Sequence, residues 1–217
     1  MTQDERRAGG MAYRVSPELM DEMHKCRLKL RAFNTMDPTD EEGLTNAIAG
    51  IFGKSDHPVV IPPFYCDYGS HIEVGKGFYA NYGCTITDVG KVVIGENVLF
   101  GPHVSVFTAG HPVHPASRAT LYEYGIPVTI EDGCWIGGCS VILPGVTIGK
   151  CTVIGAGSVV TKNIPPMCVA AGNPCRVIRK ITDEDVRLYF KDREFDPEAM
   201  EEVLAAAESL KYRPESF

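Results

Sequence analysis

The sequence predicts a mainly β protein: a parallel β-helix solenoid with helices at its N-terminal end and a further helix near its C-terminus. Three observations carry this prediction. Ile130, Ile136, Ile142, Ile148, Ile154 and Val160 recur every six residues, and Val74, Ala80 and Ile86 keep the same step upstream. Four places after each member of the first series comes a mostly small residue (Cys134, Ser140, Val146, Thr152, Ser158, Ile164), and Gly137, Gly149 and Gly155 directly follow members of it. Helix-start signals flank the repeating region on both sides.

A step of six would walk an apolar residue around a 3.6-period helix and lose the face. It suits a coil of short strands and turns that points one large side chain inward per step. Three steps make a triangular turn, with small residues where the corners are tight. After Ile86 the phase slips by two, to Ile94, Phe100 and Val106.

The elements follow in order. Residues 1–57 form a helical segment. Ser16-Pro17-Glu18 is a cap followed by proline at the first helical position, and Thr39 to Glu42 reads as a capping box before GLTNAIAGIF. Residues 58–180 form the solenoid. From about Ala109 to Pro127 the apolar step is lost, yet Val106 and Ile130 are separated by a multiple of six, so the coil resumes in phase after an extruded loop, 109–127. Residues 181–217 form a C-terminal helical extension in which Asp196-Pro197-Glu198 opens AMEEVLAAAESL. Helices at both ends would cap the open edges of the coil.

Composition narrows the function. A net charge of −7 argues against a nucleic-acid surface, which needs a basic field. No apolar run approaches a membrane span, and the polar opening MTQDERRAGG lacks the core of a signal peptide. The eight cysteines contain no C-x-x-C pair, and most are read as small apolar filler in a reducing cytoplasm.

CDYGSHIEVGKGFYANYGCTI, IGENVLFGPHV, TAGHPVHP, PVTIEDGCWIGG, ILPGVTIG, VIGAGSVVTKNIPP and AAGNPCRVIRKI together resemble the hexapeptide-repeat acyltransferases, in particular their maltose and galactoside O-acetyltransferase branch. The match runs from about residue 8 to 181. The resemblance implies a left-handed β-helix, which departs from the usual right-handed crossover. It also implies a homotrimer that binds acetyl-CoA in clefts between subunits, and a small-molecule acceptor.

Acetyl transfer from a thioester to a hydroxyl needs a base, donors for the tetrahedral oxyanion, and alignment of both substrates. His111, in Thr-Ala-Gly-His-Pro, matches the position of the family's catalytic histidine, and imidazole is suited to the role of base. His114 is read as a turn or wall residue. Asn81 matches a residue near the reaction centre whose amide would hold the oxyanion or acceptor; an asparagine turn before Tyr82-Gly83 is the other reading. By the same resemblance Arg27 and Asp67 line the acceptor site; Tyr79 and Asp88 are further candidates for its wall, as is Glu123 on the loop 109–127 that contributes much of it. For acetyl-CoA, Gly138 and Ala156 would supply backbone contacts and Trp135 would lie beside the thioester. Thr161, Lys162, Arg176 and Arg179 would lie at the nucleotide end, where arginine and lysine suit phosphate oxygens.

No metal is expected. A zinc site of the γ-carbonic anhydrase type would have to use His103, His111 and His114, whose spacings of eight and three do not match the eighteen-residue turn. A non-sugar or xenobiotic acceptor is a further reading, because RATLYEYGIP departs from the branch. A non-catalytic β-helix scaffold is the last.

Overall fold

The computed structural model describes residues 1–210, omitting the side chains of 208–210. The last seven residues of the C-terminal extension, 211–217, lie outside the described residues.

The centre is a three-sided parallel β-helix. Its first face stacks Val59–Val60, Tyr79–Ala80, Leu99–Phe100, Trp135–Ile136, Val153–Ile154 and Cys168–Ala171, and is closed by the antiparallel strand Arg176–Lys180. The second stacks Tyr65–Cys66, Thr85–Thr87, Ser105–Phe107, Val141–Ile142 and Val159–Val160. The third stacks Ile72–Val74, Val92–Ile94, Val128–Ile130 and Thr147–Ile148. The two-residue strands turn one side chain inward and the three-residue strands of the third face turn two (Ile72 and Val74, Val92 and Ile94, Val128 and Ile130), and Ala80, Ile86, Ile130, Ile136, Ile142, Ile148, Ile154 and Val160 are all fully buried. The small set points inward at the corners, where Cys134, Ser140, Thr152 and Ser158 are also fully buried. The in-phase glycines have a steric cause. A Cβ on Gly137 would stand 2.5 Å from the amide nitrogen of Ala156 in the next coil, and one on Gly149 2.4 Å from that of Pro166.

The phase slip is a repeated feature of one corner. Strand registers pair Val59 with Tyr79, Tyr65 with Thr85 and Ile72 with Val92, a turn of twenty residues. Past the loop the pairs are Trp135 with Val153 and Val141 with Val159, a turn of eighteen. The two extra residues sit between the second and third faces, where the inward residues step from Cys66 to Val74 and from Ile86 to Ile94. The third passage through that corner, from Val106 to Ile130, releases the long loop.

Helix α1 spans Gln3–Ala8, α2 Pro17–Asn34 and α3 Glu41–Ala49. Ser16 caps α2, with Pro17 in its first turn. The cap of α3 is Asp40 rather than Thr39: the Asp40 carboxylate accepts from Gly43 N at 2.9 Å, while the Thr39 hydroxyl donates to Asp37 Oδ1 at 2.7 Å. Leu30 and Phe33 of α2 and Leu44 and Ile48 of α3 join the solenoid core. The C-terminal segment is not helical throughout. A 3₁₀ turn, Asp183–Arg187, and a hairpin of Leu188–Phe190 with Arg193–Glu194 precede the last helix, whose first turn is capped by Asp196 Oδ1 accepting from Ala199 N at 3.0 Å. No helix among the described residues is long and apolar enough to cross a membrane.

Candidate functional site

The corner between the second and third faces stacks residues 67–71, 88–91 and the loop 108–127, and it places a cluster of charged and polar side chains together. Thr108 anchors the loop root: its buried hydroxyl donates to Thr87 O at 2.5 Å and accepts from Gly90 N at 2.8 Å. The loop leaves as Ala109–Gly110 and returns as Tyr124–Gly125, paired antiparallel. Within it, α4 (Pro115–Arg118) is capped by His114, whose Nδ1 accepts from Ala116 N at 3.2 Å. His114 is a turn residue.

His111 lies on the strap just outside this pairing, with its side chain 55% exposed. Its Nδ1 is 3.5 Å from Tyr122 O, and its Nε2 is 3.8 Å from Glu123 Oε2. The first contact suits an Nδ1–H tautomer, which leaves the Nε2 lone pair free to accept a proton. Glu123 is held from below by Tyr13, a fully buried residue that forms a two-hydrogen-bond bridge to the Glu123 backbone (3.0 and 2.9 Å) and donates its phenol to Glu123 Oε1.

Asp67 is half-buried on the same corner. Burial first, then the charge of Asp88, push its carboxyl up to about 6; Arg27 opposes them, and Glu123 adds a smaller upward push. Arg27 is exposed on α2 and lines a cavity of about 430 Å³ with Leu30, Arg31, Asn34, Thr35, Tyr65 and Cys66. The expectation that Asp88 lines the acceptor wall is corrected here. Asp88 is fully buried, and its Oδ1 accepts the N–H groups of Asp67 and Tyr68, both at 2.9 Å. Burial raises its pKa against those two bonds and His71. It holds the backbone that carries Asp67.

The other expected residues sit elsewhere on one protomer. Asn81, Gly138 and Ala156 occupy the corner between the first and second faces, a sheet's width from His111. Asn81 Oδ1 accepts from the N–H of the next residue, Tyr82, at 2.8 Å, and its side-chain amide donates to no acceptor among the described residues. Gly138 and Ala156, one coil apart, likewise donate their backbone N–H groups to no protein acceptor among the described residues. Tyr79 and Trp135 lie on the outer side of the first face. Thr161 and Lys162 are exposed after the last strand of the second face. Arg176 is exposed, and one of its guanidinium nitrogens donates to Cys175 O at 2.8 Å. Arg179 is committed internally, as both guanidinium nitrogens donate to the Asp185 carboxylate at 2.8 and 2.9 Å. Among the described residues no three His, Cys, Asp or Glu side chains converge to hold a metal, His103, His111 and His114 included.

Sequence reasoning missed Tyr13, Tyr68, His71 and Arg7. Arg7 donates to Val89 O at 2.9 Å, sits 3.3 Å from His71 Nδ1 and lies over the Tyr68 ring at 5.4 Å. Nothing local in ERRAGGMAYR marks these contacts, which cross more than sixty residues.

Residues 127–162 match the profile of bacterial transferase hexapeptide (six repeats), and residues 8–56 match the maltose acetyltransferase hexapeptide capping motif. The galactoside O-acetyltransferase of Escherichia coli K12 is 45% identical over 187 residues, covering 86% of this chain and 92% of that protein. A solved galactoside acetyltransferase in complex with coenzyme A is 43% identical with a TM-score of 0.87, covering 90% of this chain and 99% of that one. A maltose O-acetyltransferase from Clostridium difficile 630 is 44% identical with a TM-score of 0.83, covering 84% and 99% respectively.

Proposed function

This chain belongs to the galactoside and maltose O-acetyltransferases of the hexapeptide-repeat family, and from that premise we propose that it moves the acetyl group of acetyl-CoA onto a hydroxyl of a sugar or similar polyhydroxylated acceptor. The observation that carries the reading is the loop-root arrangement, with His111 Nε2 3.8 Å from the Glu123 carboxylate and Asp67 on the same corner.

In this reading His111 Nε2 takes the proton of an acceptor hydroxyl. The oxygen attacks the thioester carbonyl, the carbon–sulfur bond breaks, and CoA leaves as the thiol after protonation. The Glu123 carboxylate faces the imidazolium that forms and stabilises its charge. Asp67 and Arg27 bind acceptor hydroxyls. The two unused amides at Gly138 and Ala156 suit the carbonyls of the pantetheine arm, and Lys162 and Arg176 suit the phosphates.

A homotrimer completes the site. The outer side of the first face carries Val59, Leu99 and Trp135, 46, 47 and 54% exposed, an apolar stripe of the kind that marks an association surface. A second copy docked on that stripe would form a cleft combining its first-face corner, with Asn81, Gly138 and Ala156, and the His111 corner of its neighbour. The pairing accounts for the separation of the two residue sets in one protomer. The reading is tested by calorimetric titration with acetyl-CoA, followed by mass spectrometry of a panel of sugars, polyols and non-sugar alcohols incubated with enzyme and acetyl-CoA. A 42 Da gain (the mass of one acetyl group replacing hydrogen) on sugars supports it. No binding of acetyl-CoA favours a scaffold, and a gain confined to non-sugars changes the acceptor class.

A further inference from the structure

We infer that Tyr13 is a positioning residue for the catalytic base, acting through Glu123; the inference rests on the reading of His111 as that base. Tyr13 belongs to the short arm between α1 and α2, far from the loop in sequence, yet it is fully buried against Leu19, Tyr68 and Val89. It grips Glu123 at three points: both backbone hydrogen bonds of the bridge, and the phenol on Oε1. With Oε1 engaged, Oε2 is the oxygen left to face His111 Nε2, at 3.8 Å. The next residue of the arm reinforces the hold, since the Arg14 guanidinium stacks over the Tyr122 ring at 4.6 Å. Tyr122 supplies the carbonyl near His111 Nδ1, and Arg14 N is itself tied to Gln3 Oε1 at 2.8 Å. Among the described residues both polar contacts of the imidazole therefore come from Tyr122 and Glu123, and both of these are fixed by the same two-residue arm.

The arm supplies a rigidity that the loop lacks. The loop leaves the coil between Thr108 and Val128, and most of its residues from His111 to Leu121 are exposed. A carboxylate on such a loop would sample several rotamers, and misplacement by about 1 Å costs on the order of 100-fold in rate. A buried phenol that donates one strong hydrogen bond to a carboxylate selects one of those rotamers. The other ionisable groups around Glu123 do not do this. Asp67 repels it, and the Tyr68 phenol lies beside that of Tyr13 and makes no hydrogen bond to Glu123 among the described residues.

The test is Tyr13→Phe, which keeps the ring and the backbone bridge and removes only the phenol. The variant is compared with Glu123→Gln, the double variant and His111→Ala, each checked for thermal unfolding. The expected result is a kcat reduced about 10-fold with the KM for acetyl-CoA unchanged, and a double variant no slower than Glu123→Gln alone, because the phenol acts only through the carboxylate. A Tyr13→Phe enzyme with reduced Tm but wild-type kcat would show a purely structural tyrosine and overturn the inference. Additive losses in the double variant would overturn it too. If His111→Ala remains active, it is the base assignment that fails, which is separable from either outcome.

Discussion

Asp67→Asn should make this protein more stable and a worse enzyme. The Asp67 carboxyl is pushed from 3.8 to about 6, about two units. At about 1.4 kcal/mol per unit, a fully shielded group would cost the folded state about 3 kcal/mol when ionised. Asp67 keeps partial contact with water, so solvent screening reduces this to roughly 1–2 kcal/mol. The sign follows from the direction of the shift. A folded-state pKa above the unfolded one means that the native chain holds the proton more tightly. The penalty is absent below pH 4, grows as pH rises from about 4 to about 6, and is complete above that. Asparagine keeps the shape and removes the charge. Urea unfolding of wild type and variant at half-unit steps from pH 4 to 8 should give curves that coincide near pH 4 and separate by roughly 1–2 kcal/mol above pH 6, the variant being the more stable. Its KM for the acceptor should rise, since the carboxylate accepts hydroxyl hydrogen bonds that an amide only half reproduces. Stability curves that run parallel across the whole range would refute the electrostatic reasoning.

Two further outcomes follow from the same geometry. Leu99→Glu places a charge in the apolar stripe of the first face and should lower the solution mass measured by light scattering; an unchanged trimeric mass would remove that stripe from the interface. Arg176→Ala should raise the KM for acetyl-CoA by about 10-fold, the worth of one lost charge-assisted hydrogen bond. Arg179→Ala should do less, because its guanidinium already serves Asp185; equal effects would show that Asp185 releases it when the nucleotide binds.

The solenoid was legible because each of its steps obeys one local rule, an inward apolar residue followed by a tight corner, and the rule survives in the linear chain. The loop was legible for the same reason, as the place where the rule lapses and resumes in phase, whereas His111 at its root was singled out by the resemblance of Thr-Ala-Gly-His-Pro to the family motif. The slip after Ile86 was visible but looked like a single event. Only strand registers reveal that Cys66 to Val74 makes the same long step, and hence that one corner holds the extra residues coil after coil. Asp88 was expected on the acceptor wall, and nothing local in TITDVG shows that its carboxylate turns inward to two backbone N–H groups of the neighbouring coil. The pairing of Arg179 with Asp185 was not legible either, because Asp185 belongs to a later turn that no repeat announces. The contact of Tyr13 with Glu123 joins segments 110 residues apart, and no periodicity connects them.

The central claim is that His111 is the base for acetyl transfer to an acceptor hydroxyl. Its most direct test is free-thiol release from acetyl-CoA, with and without an acceptor sugar, by wild type and His111→Ala. The side chain is exposed, so the variant should fold normally. The account predicts acceptor-dependent thiol release by wild type, a fall of about 100-fold or more in kcat for the variant, and retained acetyl-CoA binding. Turnover by His111→Ala at the wild-type rate would contradict it.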